Sequence, residues 1–133
     1  MKTSFTIILS LISFFGFAQK RGKEVWKLVQ VRNGAKMFPV PSQNNEFGLS
    51  IKVKKFSGYI GCNRFSGKLE YTKGDNIRPM TLVSTKMGCP DNLSSLEYAT
   101  MEAIQLSDRL VIKGTKAEFF NQNRLMLQLE KFR

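Results

Sequence analysis

Over most of the chain apolar residues return at every second position, the rhythm of strands with one buried face. Phe47 to Lys54 is the clearest case, with Phe47, Leu49, Ile51 and Val53 on one face and Gly48, Ser50, Lys52 and Lys54 on the other. Phe56 to Cys62 continues toward a glycine-framed corner, and Phe65 to Thr72 then sets Phe65, Leu69 and Tyr71 against Ser66, Lys68 and Glu70. Glu24 to Val31 reads as a strand with apolar residues on both faces, and Met37 to Asn45, with Pro39, Pro41 and an Asn pair, as a surface loop. Ile77 to Met87 has strand composition, although Pro79 restricts it to an edge or a strand start. Arg109 to Lys113, Ala117 to Phe120 and Arg124 to Phe132 complete the strands, the last with Leu125, Leu127 and Leu129 facing inward. Between them, Gly114-Thr115 and Asn121 to Asn123 supply hairpin turns.

A helical spacing is found after Pro90 and Asp91, where Ser94 and Glu97 have the separation of a capping box and Leu96, Ala99, Ala103 and Ile104 share a face up to about Gln105. The pattern therefore predicts a β-rich α+β domain: a curved antiparallel sheet or partly open barrel of about seven strands with one packed helix. No repeat of fixed period and no linker divides the chain, and 133 residues suffice for one such domain.

The N-terminus breaks this rhythm. Lys2 precedes an apolar run from Phe5 to Phe17, followed by the small-x-small site Gly16 to Ala18, which predicts a secretory signal peptide over residues 1–18, cleaved after Ala18. The run is too short, and too interrupted by Ser10 and Ser13, to serve as a membrane span. Residues 19–23 are expected to be a flexible N-terminus and 24–132 the folded domain, exported to the periplasm or secreted, with no transmembrane helix. In an oxidising compartment the two cysteines, Cys62 and Cys89, are expected to pair, against the alternative of two buried thiols.

Charge and composition narrow the chemistry. The formal net charge is +11, and loss of the leader with Lys2 leaves +10, so anionic surfaces attract the protein. The chain has no histidine, which removes the commonest general base near neutral pH and the commonest transition-metal ligand. Its ten acidic residues are scattered singly, and its glycines form neither a dinucleotide nor a phosphate loop. No catalytic residue, cofactor or metal is expected. Asn63 and Arg64, in the turn G-C-N-R, are the candidate binding residues, weighed against a turn-stabilising asparagine and a surface charge. Glu97 is read as the helix-capping carboxylate. Base-stacking aromatics are weak, and nucleic acid is not an expected partner.

Taken together, G-C-N-R-F-S-G at Gly61 to Gly67, S-T-K-M-G-C at Ser84 to Cys89, a helix carrying Glu97 and a leucine-rich last strand resemble the META domain, also called the HslJ-like domain. Gly61, Cys62, Asn63 and Gly67 match its first motif, Thr85, Met87 and Cys89 its second, and Trp26 the tryptophan that often opens it. The resemblance implies a small β-rich fold with one helix, in exported or envelope-associated proteins, some linked to heat shock or stress. It supplies no catalytic residues and no established ligand. Many members carry a lipid-attachment cysteine after the leader, which this chain lacks, and Ala117 to Phe120 departs from the usual Leu-x-Leu pattern. The expected role is a non-enzymatic binding or envelope-stress module. The alternatives are a cationic module for anionic envelope polymers or lipid head groups, a partner of another envelope protein, and an enzyme inhibitor.

Overall fold

The structure is a computed structural model that describes residues 24–42, 45–50 and 54–131. The expected leader, residues 19–23, Ile51 to Val53 and Phe132 lie outside the described residues. The elements are β1 (Glu24–Asn33), β2 (Lys36–Pro39), β3 (Glu46–Ser50), β4 (Lys55–Tyr59), β5 (Arg64–Tyr71), β6 (Ile77–Ser84), α1 (Asp91–Leu106), β7 (Arg109–Lys113), β8 (Lys116–Asn121) and β9 (Arg124–Lys131). They form the expected class of fold, one curved antiparallel sheet with a helix packed against it, built among the described residues of nine strands rather than about seven.

The sheet runs β6-β5-β4-β3-β1-β9-β8-β7, with β2 paired to β1 beside this path. It is not a closed barrel, but its two outermost strands meet at one end. There the Ile77 N–H donates to the Asp108 carbonyl at 2.9 Å and the Leu110 N–H to the Asp75 carbonyl at 3.0 Å. α1 contacts β1, β9 and β6. Ala103 and Ile104 of α1 join the core made by the inner side chains of the sheet.

Strand β1 explains why both faces of its sequence look apolar. Its register against β9 shifts between Leu28 and Gln30, so a bulge returns Val31 to the face already occupied by Trp26 and Leu28. The stretch read as a loop after Asn33-Gly34 is corrected in part: Lys36 to Pro39 folds back as β2 on the second half of β1, while β3 occupies the first half. Between them Asn45, also assigned to that surface loop, is buried. Its side chain accepts from the Leu28 N–H at 3.2 Å and donates to the Leu28 carbonyl at 2.6 Å, standing in for a strand neighbour.

The centre of the core is aromatic. Phe47 stacks on Phe56 with ring centroids 6.1 Å apart, and meets Phe65 and Phe119 at 6.0 and 6.3 Å. Two of these rings lie over glycines on the adjacent strand, in the cross-strand pairs Phe56 with Gly67 and Phe65 with Gly58. A Cβ at Gly67 would sit 2.5 Å from the Phe56 ring, and one at Gly58 closer still to Phe65. Each glycine thus leaves the space its neighbour's ring fills.

Candidate functional site

The corner between β4 and β5 and the segment between β6 and α1 are brought together by the chain's disulfide, Cys62 to Cys89, which spans 27 residues with Cα atoms 6.0 Å apart. Gly61 opens the corner at φ +126, in the backbone region that favours glycine, and faces the Leu93 side chain of α1. Helix α1 begins immediately after the second cysteine. Pro90 sits at its N-cap with φ −54, a position where the missing N–H costs nothing.

This start overturns the capping box. The helix begins at Asp91, three residues before the serine expected to cap it, and has no side-chain cap. Ser94 lies inside the first turn and its hydroxyl reaches the Cys89 carbonyl at 3.4 Å. Glu97, released from capping, is buried and points across to the corner. There its Oε1 accepts from the Asn63 N–H at 2.6 Å and its Oε2 from Asn63 Nδ2 at 2.9 Å.

Asn63 is bonded from every polar atom of its side chain. Nδ2 also approaches Cys89 Sγ at 3.2 Å, while Oδ1 accepts from the Thr85 hydroxyl at 3.1 Å and from the Met87 N–H at 2.7 Å. Thr85 in turn accepts the Arg64 N–H on its Oγ1 at 3.0 Å, and its own N–H returns to the Arg64 carbonyl at 2.9 Å. The two sequence motifs and Glu97 are therefore one clasp, half covalent and half hydrogen-bonded. A carboxylate held by two donors in a buried site is stable because its charge-assisted bonds replace lost water.

The predicted residues divide around this clasp. Asn63, Cys62, Cys89, Thr85 and Glu97 meet in it, and Met87 contributes its N–H while its side chain is exposed. Gly67 and Trp26 lie elsewhere, Gly67 beneath Phe56 and Trp26 in the core, where Lys131 sits 5.9 Å from its ring and its Nε1 has no hydrogen-bond partner among the described residues. Asn63 and Arg64, considered as a pair, are separated: Asn63 faces inward, and exposed Arg64 lies over the Tyr59 ring at 5.0 Å. Sulfurs of Cys62 and Cys89 and a Glu97 oxygen lie within 4.8 Å of one another, a metal-like donor set, but with the sulfurs bonded and Glu97 receiving two hydrogen bonds its ligands are committed.

On the outer face of β3 to β6 there are two recesses of about 440 Å³ each, one beside Arg64 and the other beside Lys55 and Lys68. Apart from Val83 and the core rings Phe56 and Phe65, their side chains belong to the polar half of the strand alternation. The signal for them was present in Ser57, Ser66 and Lys68, but alternation alone assigns such residues to solvent without showing which lie side by side.

The META domain family model matches residues 19–131. The chain is similar in fold to two solved structures. The first is an NMR structure of a protein from Burkholderia xenovorans, 22% identical, with a TM-score of 0.65, covering 83% of this chain and 82% of the other. The second is also an NMR structure of a protein, 22% identical with a TM-score of 0.58, covering 81% of this chain and 88% of that one. No curated protein matches the sequence. With the family match extending over nearly the whole described domain and the two motifs joined as one clasp, the chain belongs to the META domain family.

Proposed function

We propose that the protein is an exported, non-enzymatic binding module that recognises anionic components of the cell envelope. The observation that carries this reading is how the motif divides its residues. The polar groups most suited to chemistry, Asn63 and Glu97, are buried and spent on each other. The neighbouring Arg64, with Lys55 and Lys68, faces outward on the strands that the clasp holds in place. The inner half specifies a rigid surface and the outer half supplies its charge.

Export is supported by the leader pattern, by a family match that begins at residue 19, and by a disulfide, which persists in oxidising compartments. An envelope-stress role follows from the family resemblance and fits a domain whose staple resists unfolding. The test is binding to lipopolysaccharide and to phosphatidylglycerol vesicles at rising ionic strength. Binding is expected to weaken from about 20 to about 150 mM salt, as screening shortens the reach of the basic surface. Binding to neither, or binding indifferent to salt, overturns the reading. A reproducible turnover by the pure protein, abolished by one substitution outside the cysteines, overturns its non-enzymatic part.

A further inference from the structure

We propose that the outer face of β3 to β6 is a binding trough for a single chain of a linear acidic polysaccharide, a polyuronate being the simplest example. The inference rests on the anionic reading above and gives it a place and a ligand class.

The trough follows from the strand register. Val25, Gly48, Ser57, Ser66 and Val83 are successive cross-strand partners on β1, β3, β4, β5 and β6, and so form one row perpendicular to the strands. At a strand spacing of about 4.8 Å this row is roughly 19 Å long. Its middle is made of glycine and serines, which rise little above the backbone, and its ends are exposed valines, 37% and 55% accessible at Val25 and Val83.

Longer side chains stand on either side. Two residues along each strand in one direction, Glu46, Tyr59 and Arg64 are again cross-strand partners. In the other direction, two residues along β3, β4 and β5 and three along β6, Ser50, Lys55, Lys68 and Met80 form the opposite row. The flanking rows are about 13 Å apart at strand rise. The two recesses of about 440 Å³ lie between them, sharing Ser57, Ser66 and Val83.

The occupant is read from the walls and floor. Lys55, Lys68 and Arg64 place positive charge on both sides, against one carboxylate, Glu46, among the described wall residues. Glu70, further along β5, is engaged by Arg78 at 3.4 Å. The hydroxyls of Ser66 and Thr81 in the floor suit a polyhydroxylated chain, and the valines and the Tyr59 ring suit the apolar faces of its sugars. An added peptide strand is excluded here, because β3, β4 and β5 are paired on both edges and offer no backbone. A lipid surface fits poorly, since the hydroxyls lie below the cations rather than level with them.

Two further features show a built surface. Arg64 is fixed at its backbone by Thr85 and at its side chain by Tyr59, so one wall is preorganised by the clasp. On β6 the register shifts opposite Ser66 to Lys68, and Thr81 there adopts φ +53, a left-handed conformation unusual for a β-branched residue. That strain turns the edge strand at the trough, and strained residues concentrate where surfaces are shaped for use.

The experiment is titration calorimetry of the mature protein with polygalacturonate and, separately, with phosphatidylglycerol vesicles. The variants are Lys55→Glu/Lys68→Glu in the trough, Ser66→Trp to fill its floor without changing charge, and Lys113→Glu/Lys116→Glu on the distant β7–β8 hairpin with an equal change in charge; thermal melting checks that each is folded. Polygalacturonate is expected to bind, about tenfold or more weaker in the trough reversal, about fivefold weaker in Ser66→Trp, and less than threefold weaker in the hairpin reversal. Equal losses in the two reversals, no loss in Ser66→Trp, or binding to vesicles but not to polygalacturonate overturn the trough while leaving the anionic reading intact. Binding to neither probe overturns both.

Discussion

Asn63 and Arg64 are adjacent in the chain and face opposite sides of the sheet. Asn63 is buried, with its N–H, its amide and its carbonyl oxygen all bonded to Glu97, Cys89, Thr85 and Met87. Arg64 is exposed and touches Tyr59 across the neighbouring strand. The same contrast recurs three residues on, where Ser66 is exposed and Gly67 is buried under Phe56. Motif residues that look functional because they are polar and sit in a turn are here the ones that specify the fold. The surface open to a ligand is made of residues whose individual identities carry little signal. Stability should therefore depend on the inner partner of each pair and anion binding on the outer.

The largest effect should come from the covalent half of the clasp. Replacing both cysteines, Cys62→Ser/Cys89→Ser, frees a loop of 27 residues and is expected to cost ~3 to 4 kcal/mol in the chain-entropy account. Urea unfolding of the variant, and of the native protein with and without reductant, measures it. A loss below about 1 kcal/mol would mean that the hydrogen bonds hold the corner without the disulfide.

Next comes the hydrogen-bonded half. Asn63→Ala removes the side-chain donor, Nδ2, from a buried carboxylate and leaves the Met87 N–H and the Thr85 hydroxyl without their acceptor. The Asn63 N–H remains in the variant, so one of the two bonds to Glu97 survives if the corner keeps its shape. A cost of about 3 kcal/mol is expected. Arg64→Ala, which alters only an exposed cation and its ring contact, should cost under about 1 kcal/mol. Equal costs at the two positions would erase the inner–outer contrast.

A smaller difference separates Gly67 from Ser66. Gly67→Ala places a methyl against the Phe56 ring and 3.2 Å from the Met80 carbonyl, which should cost about 1 to 3 kcal/mol as the ring is displaced. Ser66→Ala, on the exposed face, should change stability by no more than about 0.5 kcal/mol. Both are read from the same denaturation curves.

These pairs also show what was legible in the sequence. Alternation predicted that Phe47 and Leu49, and Phe65 and Leu69, face the core, because a strand's period is two and one face is buried. The pairing of the cysteines followed from compartment. Strand β2 was missed because prolines and asparagines mask a four-residue edge strand, whose existence depends on β1 being long enough to hold two partners in succession. The role of Glu97 was misread for a related reason. A serine three residues before a glutamate has the capping spacing, but the disulfide and Pro90 start the helix earlier and turn the carboxylate toward Asn63, a contact over 34 residues that no local pattern contains. The trough was invisible for the same cause: its row exists only once five strands are in register.

Tyr71 tests the boundary between the two faces, and its effect should be the smallest. It ends β5 half-buried against the core, and burial first, then the Asp75 carboxylate, raise its hydroxyl above the ordinary value of 10.0. The folded protein thus holds the phenol proton more tightly than the unfolded chain. The associated stability is complete below about pH 10, where both states are protonated, and is lost as pH rises from there through the raised value, where the unfolded chain ionises first. Because the side chain is only half-buried, solvent screening keeps the loss small. Urea midpoints at about pH 9 and pH 11 should fall further in the native protein than in Tyr71→Phe, which has no such proton to lose. If the two fall together, the end of β5 behaves as outer surface, and the buried face closes before Tyr71.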